Sequence, residues 1–276
     1  MLDTAQPSRS SLPGQRPDVR FGLAVGSYVA ALFAVPMTAV AWPASGWPSV
    51  PTSLTLLGSA IAICAVVTLA ATRVGGLAVR LGATPWRWGL AAVPLFVLGG
   101  VVLSRDGALS GRLQVAVVTT AGLIAFGYLV AMMSRTRYTA AVVDGATVIA
   151  EWEARPAPTH RRLQAYGSAS LVVLGLAAFF FESELIQALG QMLIASAFGI
   201  FGMRSTDRYR ASAAGLEAYG LAGRSLVPWE DCTGYTVTDG AIVVHRRRPF
   251  SSIGFDREDV DADAVVDVLS SHLDEQ

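Results

Sequence analysis

The sequence predicts a polytopic α-helical membrane protein with six transmembrane helices, followed by a small C-terminal α+β domain. Three observations predict it. Long apolar runs lack Asp, Glu and Arg, and the first two lie so close that no charged residue falls between Phe21 and Thr72. Arginine is unevenly shared among the segments that separate the runs. The last quarter of the chain changes to short β-type runs punctuated by glycine and turn residues. A helix needs about 20 apolar residues to cross a hydrocarbon layer of ~30 Å. Only 15% of this chain is charged, against about 25% in soluble domains.

Residues 1–20 contain Pro, Ser and Arg without an apolar period and read as a flexible cytoplasmic tail. Residues 21–134 hold four spans: Phe21–Trp42, Ser53–Thr72, Trp88–Ser104 and Leu113–Ser134. The first ends in Ala39-Val40-Ala41, a triplet resembling a signal-peptidase site. Its uncharged run is longer than the 7–15 residues of a signal core, so a retained span is expected; cleavage would leave five spans. Trp42, Trp47, Trp86 and Trp88 suit the headgroup level, and Pro94 predicts a kink. Residues 163–203 form a helix pair, Leu163–Phe181 and Leu185–Met203, separated only by Glu182-Ser183-Glu184, which requires a tight antiparallel hairpin.

Orientation follows from the excess of basic residues in cytoplasmic loops. Arg9, Arg16 and Arg20 precede the first span, Arg73, Arg80 and Arg87 follow the second, and Arg135, Arg137, Arg155, Arg161 and Arg162 follow the fourth. Arg204, Arg208 and Arg210 follow the sixth, whereas the opposite side holds only Arg105 and Arg112. Both termini are therefore expected in the cytoplasm of a plasma-membrane protein.

Residues 204–276 carry the clearest local signal. Gly234–Thr238 and Ala241–His245 flank Asp239-Gly240, the turn pair of a two-residue hairpin. This register puts Tyr235, Val237, Ile242 and Val244 on one face and Thr236 and Thr238 on the other. Gly215–Leu221, Ser225–Trp229 and Ser252–Phe255 read as further strands. A closing helix is expected with Asp261 as N-cap and Ala262, Val265, Val266, Leu269 and Leu273 as its apolar stripe. In the loop at residues 135–162, Ala140–Val143 and Ala146–Ile149 around Asp144-Gly145 read as a second hairpin. Because both elements lie on one side, they are expected to pack together. Arg137-Tyr138 echoes Arg208-Tyr209, but a related pair of units is the weaker reading of so short a match.

The order Gly-Leu, Val227-Pro228-Trp229-Glu230-Asp231, Val237-Thr238-Asp239-Gly240, Asp259-Val260-Asp261 and a terminal helix resembles the PH-like domains on the cytoplasmic side of many prokaryotic membrane proteins. The resemblance covers only the last quarter of the chain. It implies a small, strongly bent sheet capped by one C-terminal helix and transfers no functional residue.

The chemistry-bearing groups are few. None of the six predicted spans contains an ionisable Asp, Glu, Lys, Arg or His, whereas coupled transport usually keeps such groups inside the membrane. Gln187 and Gln191, on one helical face, together with Thr119 and Thr120, are the candidate intramembrane polar site, with interhelical hydrogen bonding as the simpler reading. Gly22-x-x-x-Gly26, Ala195 and Gly199 fit close helix packing. Cys64 and Cys232 form no metal or disulfide motif, and His160, His245 and His272 sit in no catalytic one. No cofactor or metal is expected. Arg246-Arg247-Arg248 is the candidate lipid or partner contact, since each Arg near an anionic leaflet contributes ~1 kcal/mol. The tail around it is acidic, which favours a solvated edge and excludes an argument for nucleic acid.

The expected role is a non-catalytic scaffold or regulator that binds a membrane or cytoplasmic protein, or lipid headgroups, through the tail. The alternative is a transporter or channel for an apolar or weakly polar solute. A membrane enzyme would need acid/base groups to converge, and Asp144, Glu151, Glu153 and His160 are the only dense supply.

Overall fold

The computed structural model describes residues 17–41, 49–103, 112–202, 207–220, 223–247 and 252–275. The chain divides into two compact units, Met1–Ser104 with Gly122–Ala141, and Arg105–Ala121 with Val142–Gln276. Among the described residues, four helices are long and apolar enough to cross a membrane: Val19–Met37, Val50–Arg73, Ala116–Val143 and Pro158–Phe180. Two of the six expected spans fall short of that measure. One is the helix Gly89–Leu103, of 15 residues, and the other keeps a shorter apolar stretch, Ile186–Phe198. Trp42 and Trp47, expected at the headgroup level, lie outside the described residues.

The first unit contains α1 (Val19–Ala41), α2 (Val50–Arg73), a short α3 (Leu77–Gly82), a 3-10 turn at Pro85–Trp88, α4 (Gly89–Leu103) and the middle of α5 (Arg112–Val143). Asp18 starts α1 by accepting the Phe21 amide at 3.0 Å and binds Arg137 of α5 at 2.8 Å. The pairing of α1 with α2 depends on Gly22 and Gly26. A Cβ on Gly22 would lie 2.8 Å from the Thr72 methyl, and one on Gly26 would lie 2.6 Å from the Cys64 carbonyl. The expected packing role of this glycine pair is thus met by direct backbone approach. Residues 74–88, expected as a loop, form α3 and the 3-10 turn, with Ala78 and Val79 buried.

Pro94 lies inside α4 and has no N–H to give the Leu90 carbonyl four residues earlier. The Tyr28 hydroxyl of α1 donates to that carbonyl instead. Tyr28 is 1% exposed and meets Phe126 of α5 edge-on, with ring centroids 5.7 Å apart. Gly127 of α5 lies against the same Leu90 carbonyl.

The second unit holds the β structure and the helix pair α6 (Pro158–Ala177) and α7 (Glu184–Gly202). Its strands are β1 (Val148–Ala154), β2 (Asp207–Ser212), β3 (Gly215–Gly220), β4 (Gly223–Val227), β5 (Cys232–Val237), β6 (Ala241–Arg246) and β7 (Ile253–Asp256), closed by α8 (Ala262–Ser270). They form a four-stranded sheet, β1-β2-β3-β4, and a three-stranded sheet, β5-β6-β7. All pairings are antiparallel. Residues 155–157 continue β1 toward the second sheet: Asp256 N donates to Arg155 O at 3.0 Å, and Ala157 N donates to Gly254 O at 2.9 Å. One chain segment therefore touches both sheets.

The core lies between the sheets and α8. Trp152, Tyr209 and Phe255 form an aromatic group, the Tyr209 and Phe255 centroids 4.6 Å apart, and Leu216, Ile242, Val244, Val265 and Leu269 complete it. The Asp239-Gly240 hairpin has the expected register, Tyr235 opposite Val244 and Val237 opposite Ile242. Tyr235, Ile242 and Val244 are buried, and Thr236 on the other face bonds His245 Nε2 at 2.7 Å. Asp261 caps α8 by accepting the Ala264 amide at 3.3 Å.

The expected hairpin at 140–149 does not form. Helix α5 runs on to Val143, which is buried, and Asp144-Gly145 ends that helix, with Ala146 N donating to Val143 O at 2.8 Å. Only the second half becomes a strand, β1, and it pairs with β2 rather than with a neighbour in sequence. The echo between Arg137-Tyr138 and Arg208-Tyr209 also dissolves, since the first pair is helical and the second lies in β2.

Candidate functional site

Strand β1 contributes Glu151 and Glu153, β2 contributes Arg208 and Arg210, β3 contributes Glu217 and Tyr219, and β4 contributes Arg224. Period-2 alternation sends all seven to the face of the four-stranded sheet opposite Trp152 and Tyr209. Direct pairing sets Glu151 opposite Arg210 and Arg210 opposite Glu217, so opposite charges are cross-strand neighbours.

Glu217 is fully buried. Its Oε1 accepts from Arg224 Nε at 2.6 Å, and its Oε2 lies 3.9 Å from Arg210. Glu151 binds Arg208 at 2.6 Å and Arg210 at 3.4 Å, and Asp144 reaches Arg224 at 3.5 Å. The Tyr219 ring stacks with both guanidinium groups, Arg224 at 4.8 Å and Arg210 at 5.3 Å. Burial pushes the Tyr219 hydroxyl pKa up, helped by its hydrogen bond to Glu217. Burial opposes the charge of Arg224, but the Glu217 hydrogen bond and negative charge outweigh it and raise its pKa. Arg208, Arg210 and Arg224 thus pair with Glu151, Glu217 and Asp144, and Glu153, opposite Arg208, adds a fourth carboxylate. The arrangement holds β1 to β4 in one register.

A second cluster ties the foot of α6 to β7. Arg155 grips Asp259 through Nε at 2.8 Å and Nη2 at 2.7 Å, and the Arg155 amide donates to the same carboxylate at 2.9 Å. These side-chain and backbone hydrogen bonds hold the Asp259 pKa below the usual carboxylate range. Arg161, in the first turns of α6, lies 3.3 Å from the buried Asp256. Asp207, where the chain enters β2, has its pKa raised by burial, and burial followed by the Asp207 charge raises that of Tyr209.

The residues singled out in the sequence fare unevenly. Arg246 is the last residue of β6, half-buried opposite Cys232, whose thiol pKa is raised by burial. Arg247 leaves the strand, its amide donating to Asp231 O at 2.9 Å, and Arg248 lies outside the described residues. Arg246 and Arg247 are therefore divided by a strand end. Gln187 donates to Phe181 O at 2.9 Å and closes the α6–α7 turn, while Gln191 is half-buried one turn along α7. Thr119 and Thr120 both donate to Ala116 O of their own helix, at 3.1 and 2.7 Å. Of the dense acid/base supply, Asp144 and Glu151 join the sheet network, and His160 lies beside Gly254 at the α6 foot. No group of three or more His, Cys, Asp or Glu able to hold a metal occurs among the described residues.

The Glu217 network escaped the reading of the sequence. Its signal was there: Glu151-x-Glu153, Arg208-x-Arg210 and Glu217-x-Tyr219 each alternate with apolar or small residues. Recognising it needed the pairing of β1 with β2, across the whole α6–α7 hairpin. Comparison with protein families, with curated proteins and with solved structures finds no match for this chain.

Proposed function

We propose that this chain is an integral membrane protein of six spans with both termini cytoplasmic, and that its β module is a PH-like domain serving as a non-catalytic scaffold or regulator. The observation that carries the proposal is the insertion of the α6–α7 hairpin between β1 and β2. Ala154 and Asp207, the residues flanking the insertion, are paired opposite each other. The helices thus leave and re-enter adjacent strand ends, so the helix pair is built into the module. An enzyme or a carrier needs converging reactive groups or a polar path. A module whose sheet-face arginines are paired with carboxylates and whose sheet strands flank apolar helices is suited to recognition at a membrane face.

Four plus three antiparallel strands and one closing helix support the PH-like reading. The α4 and α7 helices, of 15 and 19 residues, complete six spans when local bilayer thinning and flanking residues drawn inward are allowed for. The polar side chains Thr119, Thr120 and Gln187 bond backbone carbonyls, which favours the scaffold over transport. The partner is a protein or an anionic lipid headgroup met on the cytoplasmic face.

The test is photocrosslinking in native membranes from exposed module positions such as Asp239 and Glu230. A discrete captured protein or lipid is the expected result. Capture of nothing above the level of a variant probed at Phe180, on the opposite end of the hairpin, would overturn the proposal.

A further inference from the structure

Helices α6 and α7 meet the module next to different sheets. Helix α6 does not begin at the apolar run. It begins at Pro158, and His160 and Arg161 of its first turns lie against β7. Ala157 is fully buried, and its amide donates to Gly254 O at 2.9 Å. Gly254 is needed there because a Cβ would lie 2.7 Å from the Ala157 methyl and 3.2 Å from His160 Nδ1. Arg161 holds Asp256 at 3.3 Å. The helix then runs without a break from this foot to Ala177, and a helix is a stiff rod. Helix α7, by contrast, leads into β2 of the other sheet. At its far end the hairpin is pinched: a Cβ on Gly175 would lie 2.7 Å from Gly190 O, and one on Gly190 would lie 2.6 Å from the Ala178 methyl.

We propose that the hairpin is a two-armed lever that transmits bilayer thickness to the module, one arm seated on the three-stranded sheet and the other preceding β2 of the four-stranded sheet in the chain. The inference rests on the six-span reading. The charge-free runs of the two arms, Leu163–Phe181 and Leu185–Met203, are 19 residues each, bounded by Arg162, Glu182, Glu184 and Arg204. At ~1.5 Å per residue, residues 163–177 of α6 span about 23 Å and the 3-10 turn Ala178–Phe180 adds about 6 Å at ~2.0 Å per residue, while residues 185–202 of α7 span about 27 Å, each slightly less than a ~30 Å hydrocarbon layer. A helix longer than the layer relieves mismatch by tilting, but a shorter one draws its flanking residues inward. A thicker bilayer therefore pulls the α6 foot away from β7, and the amides of Ala157 and Asp256, which join the sheets, open first. A thinner bilayer lets the hairpin tilt with the foot seated.

The test is hydrogen exchange on the full-length protein reconstituted in dimyristoleoyl- and in dierucoyl-phosphatidylcholine vesicles. Exchange at Ala157 and Asp256 is expected to be about tenfold faster in the long-chain lipid, since mismatch costs fractions of a kcal/mol per Å over several Å. Leu216 and Leu269, in the module core, should not respond. A Gly-Ser-Gly-Ser insertion between Ala157 and Pro158 should leave the junction equally protected in both lipids. Equal exchange of the two junction amides in the parent protein, or persistence of the difference in the insertion variant, would overturn the lever. The same data test the reading beneath it. If the amides of Ser168–Gly175 and Ile186–Phe198 exchange freely in both lipids, the hairpin does not sit in the bilayer and both readings fail; if they stay protected while the junction does not respond, only the lever fails.

Discussion

Replacing Tyr28 with Phe removes one hydroxyl and keeps the ring, so it isolates a single hydrogen bond in the α1–α4–α5 packing. The acceptor is the Leu90 carbonyl, deprived of its helical donor because residue 94 is proline. With Tyr28 buried and Gly127 pressed on the same carbonyl, water has little access. An unpaired buried carbonyl costs about 1–3 kcal/mol, and interhelical bonds in apolar surroundings contribute about 0.6 on average and about 1.7 at most. Tyr28→Phe should therefore cost about 1–1.5 kcal/mol by these limits. The edge-on contact with Phe126 survives. Pro94→Ala supplies the missing N–H, so in that background Tyr28→Phe should cost less than about 0.5 kcal/mol. Reversible unfolding of the four proteins in mixed micelles, titrated with dodecyl sulfate and followed by tryptophan fluorescence, gives the cycle. Equal losses in the parent and in the Pro94→Ala background would refute the reasoning.

Three further outcomes follow from the β module. Glu217→Ala takes from the half-buried Arg224 its 2.6 Å partner but leaves Asp144 at 3.5 Å, so the loss should fall below the about 3–5 kcal/mol of a fully buried pair and above about 1 kcal/mol. Thermal unfolding should detect it, whereas Glu151→Ala, at a more exposed pair, should cost under about 1 kcal/mol. Asp207→Asn tests a pKa raised by burial. The native state binds that proton more tightly than the unfolded chain, so the ionised carboxylate costs stability at neutral pH, and the cost fades as pH falls through the raised pKa. The Asn variant should be more stable than the parent at neutral pH and equal to it once pH is below the ordinary carboxylate range. Finally, a fragment of residues 204–276 lacks β1 and should show no cooperative unfolding by near-UV circular dichroism, while 147–157 joined to it by a short Gly/Ser linker should restore it.

Local chemistry made the C-terminal hairpin and α8 legible. Asp239-Gly240 dictates its own turn, and Asp261 followed by Ala262, Val265 and Leu269 marks a capped helix whatever surrounds it. The apolar runs were legible for the same reason, since length and lack of charge are local properties. The β1–β2 pairing was not. Its partners, Ala154 and Asp207, are neighbours only because α6 and α7 return the chain to its starting point. Ala140–Val143 misled because two valines before an Asp-Gly pair fit a strand as well as a helix end; the continuing α5 helix and the buried Val143 decided it. The Arg246–Arg248 run was visible as charge. The division of Arg246 from Arg247 depended on where β6 stops, which its pairing with β5 and β7 sets.

On the proposed topology, in which the hairpin crosses the membrane twice between β1 and β2, the β5–β6 turn and the hairpin tip lie on opposite faces of the membrane. In a protein with Cys64 and Cys232 replaced, Glu182→Cys and Asp239→Cys place single thiols at those two exposed points. Treatment of intact cells with a membrane-impermeant maleimide should label the thiol at position 182 and spare the one at position 239 until the cells are permeabilised. Labelling of both from outside, or of neither before permeabilisation, would contradict a hairpin that crosses the membrane twice between β1 and β2.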